Sequence, residues 1–410
     1  MSILRLLLAI GVFAATCAAQ SLLLGAKPGE TLHLQIDDAV LLDQEQSHDG
    51  LTCSVTPAKA AALDFDFTFH AGYDVTLPAR ELEPGTRLTV LMRVTPLPPE
   101  GEPHKASNKS ESFYLFQRVE VPNMAVPNRG DGLFHGSFIV GEGQYRVKWM
   151  LRDSLSRACT RSWEFQAKLN PKDGAIEPRI EAGAVRPILN AVFGKDPPVE
   201  RTRKDSLLKV KVIANFVPRV QNGSLLADQD IEVLIGILRR ISQDPRIGEY
   251  SLTACSLATQ RVFFQQESSS YIDYPALGTA LKSMNLGLIN AKQLAASKGP
   301  ALFMVNLLEE EARKSDFDAL ILVGPKTVWR DKLPKEIANS DALDGRLFFY
   351  LSYDRDPYQN PWPDLLGSLV KKTRGIQYTI SHPEDLFNAW TDVMSRVTKS
   401  KTRLNDVRTQ

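Results

Sequence analysis

Apolar and polar positions alternate with a period of two through the N-terminal part of the chain. The alternating segments, separated by turn residues, are TLHLQID, DFDFTF, RLTVLMRVTP, SFYLFQRVEV, GSFIV and QYRVKWMLRD. A period of two places one face of a strand on a core and the other face in water. Because the pattern contains no helical stretch, we predict an all-β sandwich over residues 20–168.

The end of this region resembles a known architecture. The segment GEGQYRVKWMLRDSLSRACTRSWEF resembles the closing hairpin of an immunoglobulin-like domain. We expect its aromatic and aliphatic face to be buried in the core; that face consists of Tyr145, Val147, Trp149 and Leu151. The resemblance concerns architecture only, because many unrelated functions share the sandwich fold.

From Ser206 onward, apolar runs alternate with segments of helical period. The strand LLKVKVIANF precedes the helix DIEVLIGILRRIS. The apolar stripe of this helix consists of Ile231, Leu234, Ile235, Leu238 and Ile241. The later strands are YSLTACSL, QRVFFQ, FDALILVGP, RLFFYLSY and IQYTI, with helical segments between most of them. This alternation predicts a multidomain protein whose second domain, residues 206–398, is a doubly wound, Rossmann-type α/β domain.

The remaining segments define the boundaries of the two predicted domains. Residues 169–205 are rich in proline and charge, which predicts a linker. Residues 399–410 form a basic tail. Before the last helix, Ser381 and Glu384 have the spacing of a capping box, in which each side chain accepts from a free backbone amide of the first turn.

The second domain resembles the von Willebrand A family in its order of elements and in the helix start YPALGTAL. In that family, oxygen ligands at the carboxyl edge of the sheet hold a divalent cation. Here Asn215 stands at the position of the first aspartate and Pro275 at that of the threonine. Val323 and Gly324 stand where Asp-Gly would follow the fourth strand. The resemblance therefore implies a binding domain that has lost its metal site, and we expect no metal and no cofactor.

Composition and charge exclude some classes of partner. The 410 residues are 43% hydrophobic and 24% charged, as in ordinary globular proteins. The formal net charge is +1, so no field of the whole chain attracts nucleic acid or an anionic membrane. We therefore expect no nucleic-acid partner.

The first nineteen residues predict a secretory signal. MSILRLLLAIGVFAATCAA has a basic start, an apolar run and an end in small residues, and we expect cleavage after Ala19. The apolar run is too short to span a bilayer, and no later segment approaches the length needed for a transmembrane helix. We expect a secreted or periplasmic protein. Lipidation of Cys17 is an alternative that the sequence disfavours, because Thr16 precedes it.

An oxidising compartment permits disulfide bonds. After cleavage, Cys53, Cys159 and Cys255 remain. Cys53 and Cys159 both fall in the first domain and form the more plausible pair, although spacing alone does not determine a pairing. Cys255 lies in an apolar strand, which favours a buried and unreactive thiol.

Motifs of known catalytic sites are missing from the sequence. It contains no CxxC, HExxH or GxSxG, and GPKT after the strand FDALILVGP lacks the earlier glycine of a phosphate loop. His382, at a helix start, is typical of a surface residue. Asp354 and Asp356 offer a pair of carboxylates for acid/base chemistry, but Arg355 and nearby prolines favour a solvated loop.

That same loop, SYDRDPYQNPWPD, is the best candidate for a contact surface. It follows the carboxyl end of a strand, where open α/β sheets bind their ligands. Exposed aromatic residues and arginine are enriched at protein contacts. The partner-binding candidates on this loop and on two neighbouring loops are Tyr353, Arg355, Tyr358, Trp362, Trp329 and Arg219. Alternatively, Tyr353 and Trp362 pack the loop onto its own domain.

These observations leave two functional hypotheses. The first is a secreted or periplasmic interaction or adhesion protein whose metal-free second domain binds a protein or cell-surface partner. The second is an extracytoplasmic enzyme, most plausibly a hydrolase, with an unrecognised site. A flat aromatic rim at the sheet edge favours binding, and a deep cleft with converging acids favours catalysis.

Overall fold

The computed structural model describes thirteen segments of the chain. They are residues 21–23, 36–43, 48–98, 112–121, 123, 131–188, 192–201, 207–218, 226–284, 299–314, 316–327, 347–354 and 364–408. Contacts divide the chain into two compact units. The N-terminal unit comprises residues 1–63, 68–170 and 177–191, and the C-terminal unit comprises residues 64–67, 171–176 and 192–410.

The described part of the N-terminal unit contains eleven strands and one α-helix. They are β1 (Ser21–Leu23), α1 (Ile36–Asp43), β2 (His48–Asp49), β3 (Ser54–Pro57), β4 (Ala60–Leu63), β5 (Phe69–Leu77), β6 (Arg87–Leu97), β7 (Phe113–Glu120), β8 (Gly132–Val140), β9 (Gly143–Arg152), β10 (Ala158–Ala167) and β11 (Val185–Pro187). The helix corrects the prediction that this region is entirely β. TLHLQID alternates like a strand, but Ile36 and Asp37 belong to α1. A local period misses α1 because a helix this short depends on tertiary contacts for its stability.

All eleven strands belong to one sheet, in the order β1-β7-β6-β9-β10-β4-β5-β8-β11, with β2 beside β10 and β3 beside β5. The end strands β1 and β11 contact each other, so the sheet is nearly closed into a barrel. Every pairing is antiparallel except that of β4 with β10, in which Ala60 pairs with Gln166. On its other side β4 pairs with β5, where Leu63 is opposite Phe69.

This sheet shows that the prediction of an immunoglobulin-like sandwich is wrong. A sandwich consists of two separate sheets. Here β4 hydrogen-bonds to strands on both sides and makes the strands continuous. Four residues, Ala-Ala-Ala-Leu, carry too little pattern to be recognised as a strand in the sequence.

The core of the N-terminal unit follows the predicted alternation. Tyr145, Val147, Trp149 and Leu151 are all buried along β9. The Trp149 ring meets that of Tyr73 edge-on, with 5.8 Å between the ring centroids. Edge-to-face pairs of this kind stabilise a core beyond the burial of their apolar area.

The described part of the C-terminal unit contains six strands and five α-helices. They are β12 (Leu208–Asn215), α2 (Asp228–Ser242), β13 (Ile247–Ser256), β14 (Arg261–Ser269), α3 (Tyr274–Ser283), α4 (Gly299–Lys314), β15 (Ala319–Pro325), β16 (Phe348–Tyr353), α5 (Leu365–Lys372), β17 (Ile376–Ile380) and α6 (Pro383–Arg408). The strands form one mixed sheet in the order β14-β13-β12-β15-β16-β17. Neighbours are parallel from β13 to β17, and the edge strand β14 is antiparallel to β13.

The predicted fold class, which included a doubly wound α/β domain of the von Willebrand A type, is wrong for this chain. Strands account for 41% of the described residues and α-helices for 28%, so the molecule is mainly β, with a nearly closed sheet and a second sheet. Strand and helix segments alternating in a sequence do not by themselves determine a fold family. The residues that would make that resemblance specific, such as the first aspartate, are replaced here by others such as Asn215.

None of the helices in the described part of the chain combines the length and apolarity that crossing a bilayer requires.

Candidate functional site

The parallel strands β12, β15 and β16 are neighbours in the sheet, so their carboxyl ends meet at one edge. We call residues 215–218, 325–327 and 353–354, together with the helix start at Asp364, the carboxyl edge. The predicted contact residues Arg219, Trp329, Arg355, Tyr358 and Trp362 lie outside the described residues.

Tyr353 is the one predicted contact residue that the structure describes, and its side chain is buried. Its exposed fraction is 2%. The ring lies edge-on against Phe65 of the same unit, with 5.9 Å between centroids. As placed here, Tyr353 packs the core and offers no surface to a partner.

Asp354 follows Tyr353 and forms an ion pair with Lys326, with 3.2 Å between Oδ2 and Nζ. Its backbone amide donates to the carbonyl of Ile380 over 3.0 Å. Its own carbonyl accepts from the hydroxyl of Ser381 over 2.6 Å. The second member of the predicted carboxylate pair, Asp356, lies outside the described residues. Asp354 thus joins the loops after β15, β16 and β17 and is neutralised by a lysine.

The capping box predicted for α6 is not formed as expected. The Ser381 hydroxyl donates to Asp354, and the cap is provided by Asp385. Its carboxylate accepts from the backbone amides of Ser381 and His382, each over 2.9 Å. His382 is exposed at the surface, as predicted. The Ser381 hydroxyl makes a tertiary contact, which the local spacing of residues does not reveal.

Asp364 is a buried carboxyl at the start of α5. It accepts from the backbone amides of Thr327 (3.3 Å) and Leu366 (3.1 Å). Its other oxygen accepts from Ser352 Oγ and Gln377 Nε2, both over 3.2 Å. Burial raises the pKa of Asp364, and the hydrogen bonds from Thr327, Ser352 and Leu366 oppose that rise. The carboxyl is a fixed junction between two strands, a loop and a helix.

Asn215, at the position where the resemblance would place an aspartate, has a structural role. It is fully buried, and its Oδ1 accepts from the backbone amide of Leu257 over 3.1 Å. The next residues, Phe216 and Val217, are buried as well, and the Phe216 ring packs edge-on against Phe263. The end of β12 therefore contributes to the core and to a tie between β12 and the chain after β13.

Two cysteines of the described residues form the disulfide that the sequence favours. Cys53 and Cys159 form a disulfide in the N-terminal unit, with 6.1 Å between their Cα atoms. Cys255 is free and fully buried. Burial raises the pKa of its thiol to about 12, so the reactive thiolate is scarce at neutral pH.

A buried ion pair that the sequence pattern did not predict lies in the C-terminal unit. Lys211 on β12 contacts Glu311 on α4, and their side chains are only 4% and 3% exposed. Gln265 also donates to the Glu311 carboxylate over 3.0 Å. The signal was a charged residue inside the apolar strand LLKVKVIANF, because a buried lysine requires a partner.

Comparison with known proteins gives no functional assignment. No family model matches the chain, and no curated protein matches it. Among solved structures, it is 12% identical to the sporulation control protein Spo0M of Bacillus subtilis, over 30% of this chain and 51% of that one, with a TM-score of 0.18. It is 10% identical to a calcium-binding mutant of Bacteroides uniformis β-glucuronidase 2 (TM-score 0.16) and to a β-glucuronidase of the same organism (TM-score 0.17).

Both β-glucuronidase alignments cover 78% of this chain and 38% of the other chain. The chain therefore spans about half, or less, of the length of each of these proteins. TM-scores this low do not establish a shared fold. None of the comparisons supports a von Willebrand A domain.

Proposed function

We propose that this protein acts outside the cytoplasm, as a secreted or periplasmic protein that binds a protein or cell-surface partner. The observation that carries the proposal is the order of β12, β15 and β16 in the sheet. Because these three strands are parallel neighbours, the segments that follow them begin at one common edge of the sheet.

The composition of those segments supports a binding role. Arg219 follows the described residue Pro218 directly, Arg355 follows Asp354 directly, and Trp329 is two positions after Thr327. Tyr358 and Trp362 lie further along the segment after β16. Trp, Tyr and Arg are the residue types that most often carry the binding free energy of an interface.

The described acids at the carboxyl edge favour binding over hydrolysis. A general acid or base must reach the proton that it transfers. Asp354 is paired with Lys326, and Asp364 accepts from donors on several sides. Both carboxylates are thus held in structural contacts.

The proposed compartment leads to a prediction about the purified protein. Expressed in a host that exports it, the mature chain should begin at Gln20 and carry the Cys53–Cys159 bond. Intact-mass measurement before and after alkylation under denaturing, non-reducing conditions will show the N-terminus and the number of free thiols. We expect one free thiol, that of Cys255. Retention of residues 1–19, or three alkylated thiols, would contradict the proposed export.

The binding surface is tested by replacing Tyr358 and Trp362 with alanine. If these aromatics anchor the partner, capture from the envelope fraction of the native organism should weaken at least about tenfold, which corresponds to a loss of about 1.4 kcal/mol of binding free energy. Capture is quantified by titrating the immobilised protein against a fixed amount of that fraction, with identification of the bound chain by mass spectrometry.

Tyr271→Ala is the matched control. Tyr271 is 62% exposed and follows β14. Because β14 is antiparallel to β13, Tyr271 lies toward the edge of the sheet opposite the carboxyl edge. Full capture by a double variant whose circular dichroism is unchanged would show that the contact surface lies elsewhere. Loss of the native spectrum would show that Tyr358 and Trp362 belong to the core.

A further inference from the structure

Helix α1 covers a basic and apolar patch on the outer face of the N-terminal sheet. Along β6, β7, β9 and β10 the inward side chains, such as Trp149, belong to the main core. Some outward side chains form a separate apolar cluster with Leu42 of α1; they are Leu91, Met150 and Ala158. Leu42 is 2% exposed and Met150 1%. Without α1, this outer face of the sheet would be exposed to water. It is nevertheless apolar enough to bury Leu42.

Basic side chains lie beside this apolar cluster. Arg93 on β6 and Lys148 on β9 are directly opposite each other in the sheet. Both donate to the same oxygen of Asp43, the last residue of α1, over 2.5 and 2.9 Å. The hydrogen bonds from Lys148 and Arg93 hold the pKa of Asp43 below its usual value.

The rest of the face has the same character. Register and alternation place Arg118 and Arg146 on the outer side as well. The Arg118 guanidinium lies over the Phe116 ring, 5.3 Å from its centroid. Phe116 and Tyr114 are half-buried and pack against the apolar cluster. Aromatic rings and arginine beside an apolar slot are typical of a protein-binding surface.

In the part of α1 whose side chains are described, residues 40–43, two leucines and one carboxylate hold the helix to this face. A helix of eight residues is not stable in isolation. Among the described side chains of α1, Leu42 is buried and Leu41 is half-buried against the same cluster, whereas Val40 is 59% exposed and the Asp43 carboxylate is 58% exposed despite its two partners. Elements with few buried apolar contacts open at low free energy. Opening of α1 would uncover the apolar cluster and leave Arg93 and Lys148 without their carboxylate.

We propose that this outer face is a docking site for an acidic, amphipathic peptide segment of a partner protein, and that α1 occupies the site as an intramolecular competitor. The occupant is inferred from α1 itself, in which a leucine enters the apolar cluster and the following aspartate binds the two cations. This site does not depend on the carboxyl edge of the C-terminal unit.

The test uses the full chain and a fluorescein-labelled, end-blocked peptide with the sequence of residues 36–43, IDDAVLLD. A release variant, Leu42→Ala with Asp43→Asn, removes the buried leucine and the carboxylate of α1 from the site. The peptide should bind this variant at least about tenfold more tightly than the wild type, because a tethered competitor acts at high effective concentration. Fluorescence anisotropy measures the binding. Equal binding to both proteins, or no binding to a release variant that keeps its native circular dichroism, would overturn the proposal.

Further changes on the release background locate the peptide. Arg93→Gln with Lys148→Gln should reduce its affinity at least about tenfold, whereas Arg80→Gln, an exposed arginine after β5 that pairs with Glu81, should leave it within about twofold. A peptide with lysine in place of its last aspartate should bind as weakly as the wild-type peptide binds the double glutamine variant. Insensitivity to both changes would overturn the assigned site. If labelled heparin binds the release variant and the peptide does not, the ligand of this face is an anionic polysaccharide, and the assigned partner is overturned.

Hydrogen exchange on the wild-type chain tests the opening without any substitution. Backbone amides of α1 should exchange at least about a hundredfold faster than those of β9, because α1 detaches without unfolding of the sheet. Equal protection of α1 and β9 would show that α1 is a fixed part of the unit and would overturn its role as a competitor.

Discussion

Replacing Cys53 and Cys159 with serine should lower the free energy of unfolding of the N-terminal unit by about 2–5 kcal/mol. The disulfide joins residues that are 106 positions apart, so breaking it restores much conformational freedom to the unfolded chain. Cys159 is 1% exposed and belongs to the core, so the change also alters packing. Urea denaturation of the full chain, followed by far-UV circular dichroism, measures the effect.

The control for this prediction is Cys255→Ser. Cys255 is free, so a reducing agent should not change the denaturation midpoint through it. Reduction should shift the midpoint of the wild type and of Cys255→Ser, and should leave the Cys53→Ser, Cys159→Ser variant unchanged. A wild-type midpoint that does not respond to reduction would contradict the predicted contribution of the bond.

Lys211→Met should destabilise the C-terminal unit by about 3–5 kcal/mol. The substitution preserves most of the volume of the side chain but removes the charge that balances Glu311 inside the protein. Gln265 still donates to Glu311, and Lys314 lies 3.5 Å away, but neither restores the direct pair. Urea denaturation again provides the measurement, with the transition of the C-terminal unit identified by its sensitivity to this substitution.

Two further variants decide whether the cost comes from the buried charge. Lys209→Met removes another lysine of the same strand. The side chain of Lys209 is 49% exposed and that of its partner Glu249 is 47% exposed, so the substitution should lower the free energy of unfolding by at most about 1 kcal/mol. Lys211→Met combined with Glu311→Leu should recover most of the stability, because an apolar pair replaces an ion pair without leaving a charge unpaired. If Lys211→Met is no more destabilising than Lys209→Met, the buried pair has no special weight.

The strands of both sheets were the most predictable part of the fold. β6, β7, β9 and the apolar runs β12, β13, β15 and β16 fall where their patterns indicate, because burial of one or both faces leaves a direct trace in the sequence. The DFDFTF segment shows the limit of that trace. It alternates perfectly, yet only Phe69 belongs to a strand, and Phe67 has a positive φ of 60° that no alternation reveals. Local pattern cannot distinguish a strand from a buried turn of similar composition.

Most features that the sequence pattern did not predict depend on long-range pairing. The four residues of β4 pair with β10 and β5 and so connect the strands into one continuous sheet where a sandwich was predicted. These pairings depend on the tertiary structure of the whole unit. Helix α1 is stabilised by the packing of Leu42 against an apolar cluster of the sheet whose members are distant in the sequence. Tyr353 sits at the end of a strand in a polar sequence, but Phe65, almost three hundred positions earlier, covers it. Apart from β5, which follows β4 closely, each of these partners is remote in the chain and leaves no local signal.

The two links that close the N-terminal unit also constrain the order in which the chain can fold. Both the β4–β10 pairing and the disulfide connect residues near position 60 with residues near position 160. Once the predicted signal with Cys17 is removed, a chain that emerges N-terminus first from a ribosome or a translocon presents Cys53 long before Cys159 or Cys255. Cys159 emerges next, and Cys255 follows only after a further stretch of β12 and α2. Because synthesis and export proceed from the N-terminus, Cys53 can react with Cys159 before Cys255 has emerged. Burial of Cys255 in its apolar strand then keeps that thiol from reacting with Cys53 or Cys159.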